Sequence, residues 1–357
     1  MQNPFTTTFS KIPEYTYIPT EQVDELLENF SYERPSESLY KITGVRGSGK
    51  TVLLAKIEEA LGSGTNIADG WLVYRLTPTR DMIKQLAASL YKEEFIKDQY
   101  TSKGFNISAS VLGTGAGIGI SKELSNDYTD MAVELDEMLS HATTLGKKIL
   151  IGLDEVSKTP HMIVFASEFG KWMRAGYSVY MVCTGLYENI EQLCNVKNLT
   201  FFRRATTVKT EPLNMIRMSE MYKRTLEIDT ARAMELAQIT QGYPYAFQEL
   251  GVLYFKNKKK DNITDIIEQL KSELFSYSYE KIWEELSEND RSLVRILTGK
   301  KEYKRDEILA KMDKPTNYSA YRDRLLKRGV ITSRQAYISL ALPYFGDYVN
   351  EYCMLSS

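Results

Sequence analysis

The sequence predicts an α/β protein: a parallel sheet layered between helices, then a helical segment, then a small C-terminal module. Three observations carry this expectation. A glycine-rich stretch, Gly44–Thr51, stands between a strand-like segment and a run of helix formers. Apolar strand-like segments recur at Gly70–Leu76, Lys147–Leu153, Tyr177–Thr184 and Ala205–Thr210, with helical spacing between them. From about Tyr279 the pattern changes to short helices and a hairpin. Strands alternating with helices give a three-layer parallel sheet.

The glycine-rich stretch reads Gly44-Val45-Arg46-Gly47-Ser48-Gly49-Lys50-Thr51. It satisfies G-x-x-x-x-G-K-[ST], the P-loop of an NTPase. Ser38–Thr43 ahead of it is strand-like, and Thr51–Ile57 behind it has helical spacing. The glycines let the loop curl so that backbone N–H groups point at a phosphate, and the N-terminus of the following helix favours the same anion. The expected nucleotide cradle is Gly44 to Val52. Lys50 is placed to reach the β- and γ-phosphates, and the Thr51 hydroxyl to bind Mg²⁺.

A phosphate loop needs a carboxylate for its metal. Lys147–Leu153 reads as a buried parallel strand, and Asp154-Glu155 emerge at its carboxyl end, where open α/β sheets bind ligands. Asp154 is the expected Mg²⁺ partner and Glu155 the expected general base for the attacking water. Thr184 ends the next strand. It is placed either to touch the γ-phosphate or the attacking water, or to cap a turn. Ile107–Ile120 alternates apolar and small residues and reads as a glycine-rich hairpin inserted at about 105–121, either a partner-binding flap or a decoration.

Composition bounds the rest. The 357 residues suffice for two or three domains, and 43% hydrophobic with 26% charged is globular usage. A net charge of −2 excludes an overall nucleic-acid coat but not a local basic face. Cys183, Cys194 and Cys353 lack a CxxC pairing, which suits a reducing cytoplasm and excludes a disulfide scaffold. The polar N-terminus lacks a signal-peptide core, and no run is long enough to span a membrane.

With these residues in place, the chain resembles an AAA+ ATPase of the initiator-like bacterial and archaeal branch, a neighbour of the STAND ATPases. Gly44–Thr51 matches Walker A, Asp154-Glu155 matches Walker B, and Thr184 falls at sensor 1. Asn3-Pro4-Phe5, with Ile18-Pro19, is similar to the family's segment near the adenine, but Pro19-Thr20 stands where relatives carry Gly-Arg. Arg203 and Arg204 occupy the place of the arginine finger, which in a homo-oligomer stabilises charge on a neighbour's γ-phosphate. On the residues alone, they cap the sheet edge or pair with nearby acids. Gly242-Tyr243-Pro244 resembles the lid motif, so the resemblance implies nucleotide contacts from Tyr243 and Pro244; the sensor 2 arginine is replaced by Ala246-Phe247-Gln248-Glu249. ATP is the implied nucleotide, since the chain has no Asn-Lys-x-Asp guanine motif.

The C-terminal pattern is a winged helix. Ser287 caps a helix over Arg291–Leu297, a second covers Arg305–Met312, and a third, Asn317–Lys327, ends before Gly329; Val330–Arg334 and Tyr337–Leu342 make the wing. Eleven basic and five acidic residues lie between Lys300 and Arg334. Tyr318, Ser319, Arg322, Arg324, Lys327 and Arg328 on the third helix are therefore the expected contacts to duplex DNA. A protein-facing module is the other reading. The expected divisions are 1–212 for the ATPase core, 213–278 for the lid and 279–357 for the winged helix. Two functions fit: an oligomerising ATPase that engages DNA, or a STAND-like ATP/ADP switch whose winged helix meets an unknown protein partner or brakes the core.

Overall fold

A computed structural model describes residues 2–8, 12–62, 70–103, 127–257 and 262–354. The expected glycine-rich hairpin at 105–121 lies outside them. The first half of the chain runs α1 (Glu21–Ser31), β1 (Leu39–Thr43), α2 (Lys50–Gly62), β2 (Trp71–Leu76), α3 (Met82–Leu90), α4 (Glu94–Lys103), α5 (Asp127–Thr144), β3 (Lys148–Leu153), α6 (Pro160–Ala175), β4 (Val179–Gly185), α7 (Tyr187–Cys194), α8 (Thr200–Arg204) and β5 (Thr206–Lys209). The second half runs α9 (Met215–Leu226), α10 (Thr230–Thr240), α11 (Pro244–Asn257), α12 (Ile263–Leu274), α13 (Glu280–Glu284), α14 (Glu288–Leu297), β6 (Tyr303–Lys304), α15 (Arg305–Leu309), α16 (Tyr318–Arg328), β7 (Ile331–Arg334), β8 (Tyr337–Leu340) and α17 (Phe345–Tyr348).

The chain divides into two compact units. One joins Met1–Val23, Thr43–Leu53 and Lys209–Ser357; the other joins Asp24–Ile42 and Leu54–Val208. The second unit holds the sheet, in the order β2-β3-β4-β1-β5. β2 and β3 pair in parallel with Leu72 opposite Ile149, and β3 and β4 pair in parallel with Ile149 opposite Val179. β3 and β4 are buried on both faces, as their unbroken apolar runs Ile149–Leu153 and Val179–Cys183 require. α6 shows why a helix forms after β3: Thr159 caps its N-terminus, Pro160 stands at its first turn, and Gly176 closes it with φ 78°. Its Phe165, Phe169 and Trp172 are buried in the core of this unit, with Met138 and Leu139 of α5.

The other unit has its own core. Phe5 packs against Tyr222 and Phe247, with ring centroids 5.6 and 5.9 Å away. Ser287 caps α14 by accepting from Asp290 N, and Gly329 closes α16 with φ 82°. β6, between α14 and α15, joins β7 and β8, which follow α16, in a three-stranded sheet of order β6-β8-β7 with antiparallel pairing. No helix among the described residues is long and apolar enough to cross a membrane.

Candidate nucleotide site

The phosphate loop follows β1 and leads into α2. Gly47 and Gly49 take φ values of 70° and 87°, in the left-handed region that costs glycine little. The Lys50 ammonium folds back over the loop, donating to the carbonyls of Gly44 at 2.9 Å and Val45 at 3.0 Å. Thr51 and Val52, in the first turn of α2, are half-buried. Thr210, just past β5, donates from Oγ1 to Ser48 Oγ at 2.8 Å. It passes so close to the loop that a Cβ at Gly44 would collide with it.

The lid residues meet this loop. Tyr243 is buried, and its hydroxyl donates to the Arg46 carbonyl at 2.6 Å while sharing a 2.7 Å hydrogen bond with Ser278 Oγ. Burial pushes the Tyr243 phenol well above its ordinary value, so it stays protonated and a donor at working pH. The Tyr245 amide donates to the Gly47 carbonyl at 3.1 Å. Pro244 begins α11 beside Gly49. The side chain of Arg46 turns the other way and pairs with Glu285 at 2.8 Å. Thr210, Ser278 and Glu285 carry no local signal, since their partners lie far away in the chain.

Asp154 and Glu155 follow β3, Asp154 half-buried and Glu155 exposed. Thr184 is fully buried beneath them. Its hydroxyl donates to Asp154 Oδ1 at 2.5 Å and accepts from the Glu155 amide at 3.0 Å. The Thr184 hydroxyl, expected either at the phosphate or water or in a turn, is engaged with Asp154, and its side chain has no exposed surface. It thus holds both members of the acidic pair, the second of them, Glu155, in a left-handed conformation with φ 54°. Nearby, Glu58 of α2 makes a bidentate ion pair with Arg75 and fills the space above Gly152 of β3. Burial raises its carboxyl above the usual range, with Asp154 adding a smaller push and Arg75 opposing both.

Arg203 and Arg204 lie in the last turn of the short helix α8, and both are exposed. On α16 the expected row of exposed contacts is corrected at two positions. Tyr318 is 4% exposed, packed into the core with the Arg305 guanidinium 5.9 Å from its ring. Arg324 is spent on Asp290, a fully buried carboxylate it grips through Nε at 2.9 Å and Nη2 at 2.6 Å. Arg328 donates to the Glu285 carbonyl at 2.9 Å, and Arg322 to Ser333 Oγ at 3.1 Å. Ser319 and Lys327 are exposed, Lys327 pairing with Asp323 at 2.8 Å. Other exposed cations of the module lie off this helix, at Lys301, Lys304, Arg305, Lys314 and Arg334.

The structure thus draws Walker A, Tyr243, Pro244 and Glu285 together in one unit, and Asp154, Glu155 and Thr184 in the other. The whole chain is similar to the Walker-type ATPase of Pyrococcus abyssi, at 15% identity over 92% of this chain and 95% of that one, with a TM-score of 0.61. It is also similar to the ORC2 protein of Aeropyrum pernix in ADPNP–ADP complexes, at 12% identity over 94% and 95%, with a TM-score of 0.52. At such identities the likeness is one of fold: the chain has the α/β fold of a P-loop NTPase. A family described as a Domain of unknown function (DUF8462) matches residues 276–349. No curated protein matches the chain significantly.

Proposed function

We propose that this protein binds and hydrolyses ATP, and that its nucleotide state controls self-assembly and engagement of duplex DNA through a C-terminal winged helix. The observation that supports this most is the double hold on Arg46. The lid hydroxyl of Tyr243 binds its carbonyl and Glu285, three residues before α14, binds its guanidinium. A phosphate arriving at the loop disturbs both contacts at once. The ADPNP–ADP complexes of the Aeropyrum pernix protein fit the same nucleotide class.

In this reading Gly44–Val52 cradle the phosphates, Lys50 leaves its loop carbonyls for the β- and γ-phosphates, and Tyr243 and Pro244 close the lid side. The Thr51 hydroxyl and the Asp154 carboxylate are hard oxygen donors, the kind Mg²⁺ takes. Bound there, Mg²⁺ would neutralise charge on the phosphates. Glu155 orients the attacking water, with Thr184 holding the acidic pair in place. Arg203 or Arg204 completes the site of a second copy. The core is assigned to 1–212, the lid to 213–278 and the winged helix to 279–357, in a cytoplasmic protein. DNA contact falls to Ser319, Lys327 and the other exposed cations of the module.

A second reading is a STAND-like ATP/ADP switch with an unknown protein partner. The commitments of Arg324 and Arg328 within their own unit favour it, because they leave α16 with less free charge for DNA.

The test is ATP turnover of the full chain with and without duplex DNA at several salt concentrations, with mass measured in ATP and in ADP. Lys50→Ala should lose ATP binding by calorimetry, and Glu155→Gln should bind ATP but turn it over slowly. DNA should stimulate turnover, with affinity falling at a log–log salt slope of about −0.9 per phosphate contact. Unchanged ATP affinity in Lys50→Ala defeats the phosphate-loop reading. A monomer that retains ADP and ignores DNA favours the switch.

A further inference from the structure

Lys41 sits in the middle of β1 and is 2% exposed. Taking an ammonium out of water is costly unless hydrogen bonds replace the lost hydration. Its Nζ donates to the Phe202 carbonyl at 2.8 Å, lies 3.6 Å from Cys194 Sγ, and stands 5.6 Å from the centre of the Phe202 ring. The Phe202 carbonyl belongs to the last turn of α8, where helical carbonyls lack an intrahelical partner and a cation is favourable. Lys41 thus caps this helix from inside the sheet.

The two residues after that carbonyl are Arg203 and Arg204, both exposed. The rest of α8 is held as firmly. The Phe202 side chain is fully buried, and Phe201 lies so close to Gly170 of α6 that a Cβ there would strike its ring. A packing role alone would be met by Leu or Met, because replacing a buried charge by an apolar side chain is often neutral or stabilising. What the amine adds is a fixed main-chain carbonyl immediately before two arginines, anchored on the strand that runs into the phosphate loop.

We infer that Lys41 is a positioning residue for ATP hydrolysis. It sets the place and angle from which Arg203 and Arg204 reach the γ-phosphate of a nucleotide held by a second copy of this chain. The inference rests on the assignment of those arginines under the proposed function. Lys41 itself transfers no proton and touches no substrate.

The experiment is steady-state ATP hydrolysis by the full chain, with melting curves, for Lys41→Met, Arg203→Ala, Arg204→Ala and each Lys41→Met double variant. Misplacing a catalytic group by about 1 Å costs up to about 10²-fold, so Lys41→Met should lower kcat by about 10- to 100-fold. Its KM for ATP should stay near wild type, while its melting temperature falls modestly because the buried Phe202 carbonyl loses its donor. The loss should not deepen when Lys41→Met is added to the arginine variant that is itself slow, and Lys41→Arg, which keeps a donor, should recover part of the rate. If Lys41→Met does not fold, Lys41→Gln, polar but one bond too short for the carbonyl, is read the same way. A slow arginine variant beside a normal Lys41→Met, or multiplicative losses in the double variant, overturns the inference and leaves the arginine assignment standing. Normal rates in both arginine variants overturn the arginine assignment and this inference with it.

Discussion

The hydroxyl of Tyr243 donates to the carbonyl of Arg46 at 2.6 Å, joining the start of α11 to the second variable position of the G-x-x-x-x-G-K-T loop. The Tyr243 hydroxyl is buried and also bonded to Ser278, while the Arg46 carbonyl is half-buried. Leaving a buried carbonyl unsatisfied costs about 1–3 kcal/mol, and the half-buried position of this one places the cost at the lower end. Tyr243→Phe should therefore stay folded, melt measurably lower, and bind ATP more weakly. Calorimetry and a melting curve on one sample check both effects; unchanged ATP affinity would assign the bond to stability alone.

The Arg46–Glu285 pair is a different kind of contact. Its side chains are 41% and 32% exposed, so it adds at most about 1 kcal/mol to stability. Its effect should appear on nucleotide affinity instead. Glu285→Gln removes a negative charge beside the phosphate loop and releases the guanidinium, so ATP should bind about two- to fivefold more tightly. Arg46→Ala should weaken binding. The reversed pair, Arg46→Glu with Glu285→Arg, should restore stability but not affinity.

Thr184→Val keeps shape and loses the hydroxyl. The Asp154 carboxylate and the Glu155 amide each lose a partner, and the melting temperature should fall by the equivalent of about 1–3 kcal/mol. Turnover should fall more than ATP binding measured without Mg²⁺, since the acidic pair acts on metal and water. Equal losses in both would mean that Thr184 supports the strand ends and nothing more specific.

Arg324→Ala strands Asp290 in the core. Removing one partner of a buried ion pair costs about 3–5 kcal/mol, and the partial exposure of Arg324 places the expected loss at the lower end. The melting temperature should drop sharply and recover in Arg324→Ala with Asp290→Leu. Loss of DNA binding in the single variant is then a folding effect, whereas Lys327→Ala should weaken DNA binding at unchanged stability.

Local sequence by itself determined the strand–loop–helix at Gly44–Thr51, the acidic pair after an apolar run, and the three helices and hairpin near the C-terminus. Each of these is written in residues close together in the chain, where glycine conformations, caps and hydrophobic spacing act directly. The tertiary structure alone decided which polar groups are already engaged. Tyr318 and Arg324 look like exposed contacts on a basic helix, yet one is core and the other answers Asp290, 34 residues away. Thr184 looks like a group for substrate, yet its proton belongs to Asp154 across the sheet. Lys41, a charged residue in mid-strand, caps a helix from within. Charge and hydrogen-bonding capacity are legible in a sequence; their partners are not, because a buried donor or acceptor is satisfied by whatever the fold brings within about 3 Å.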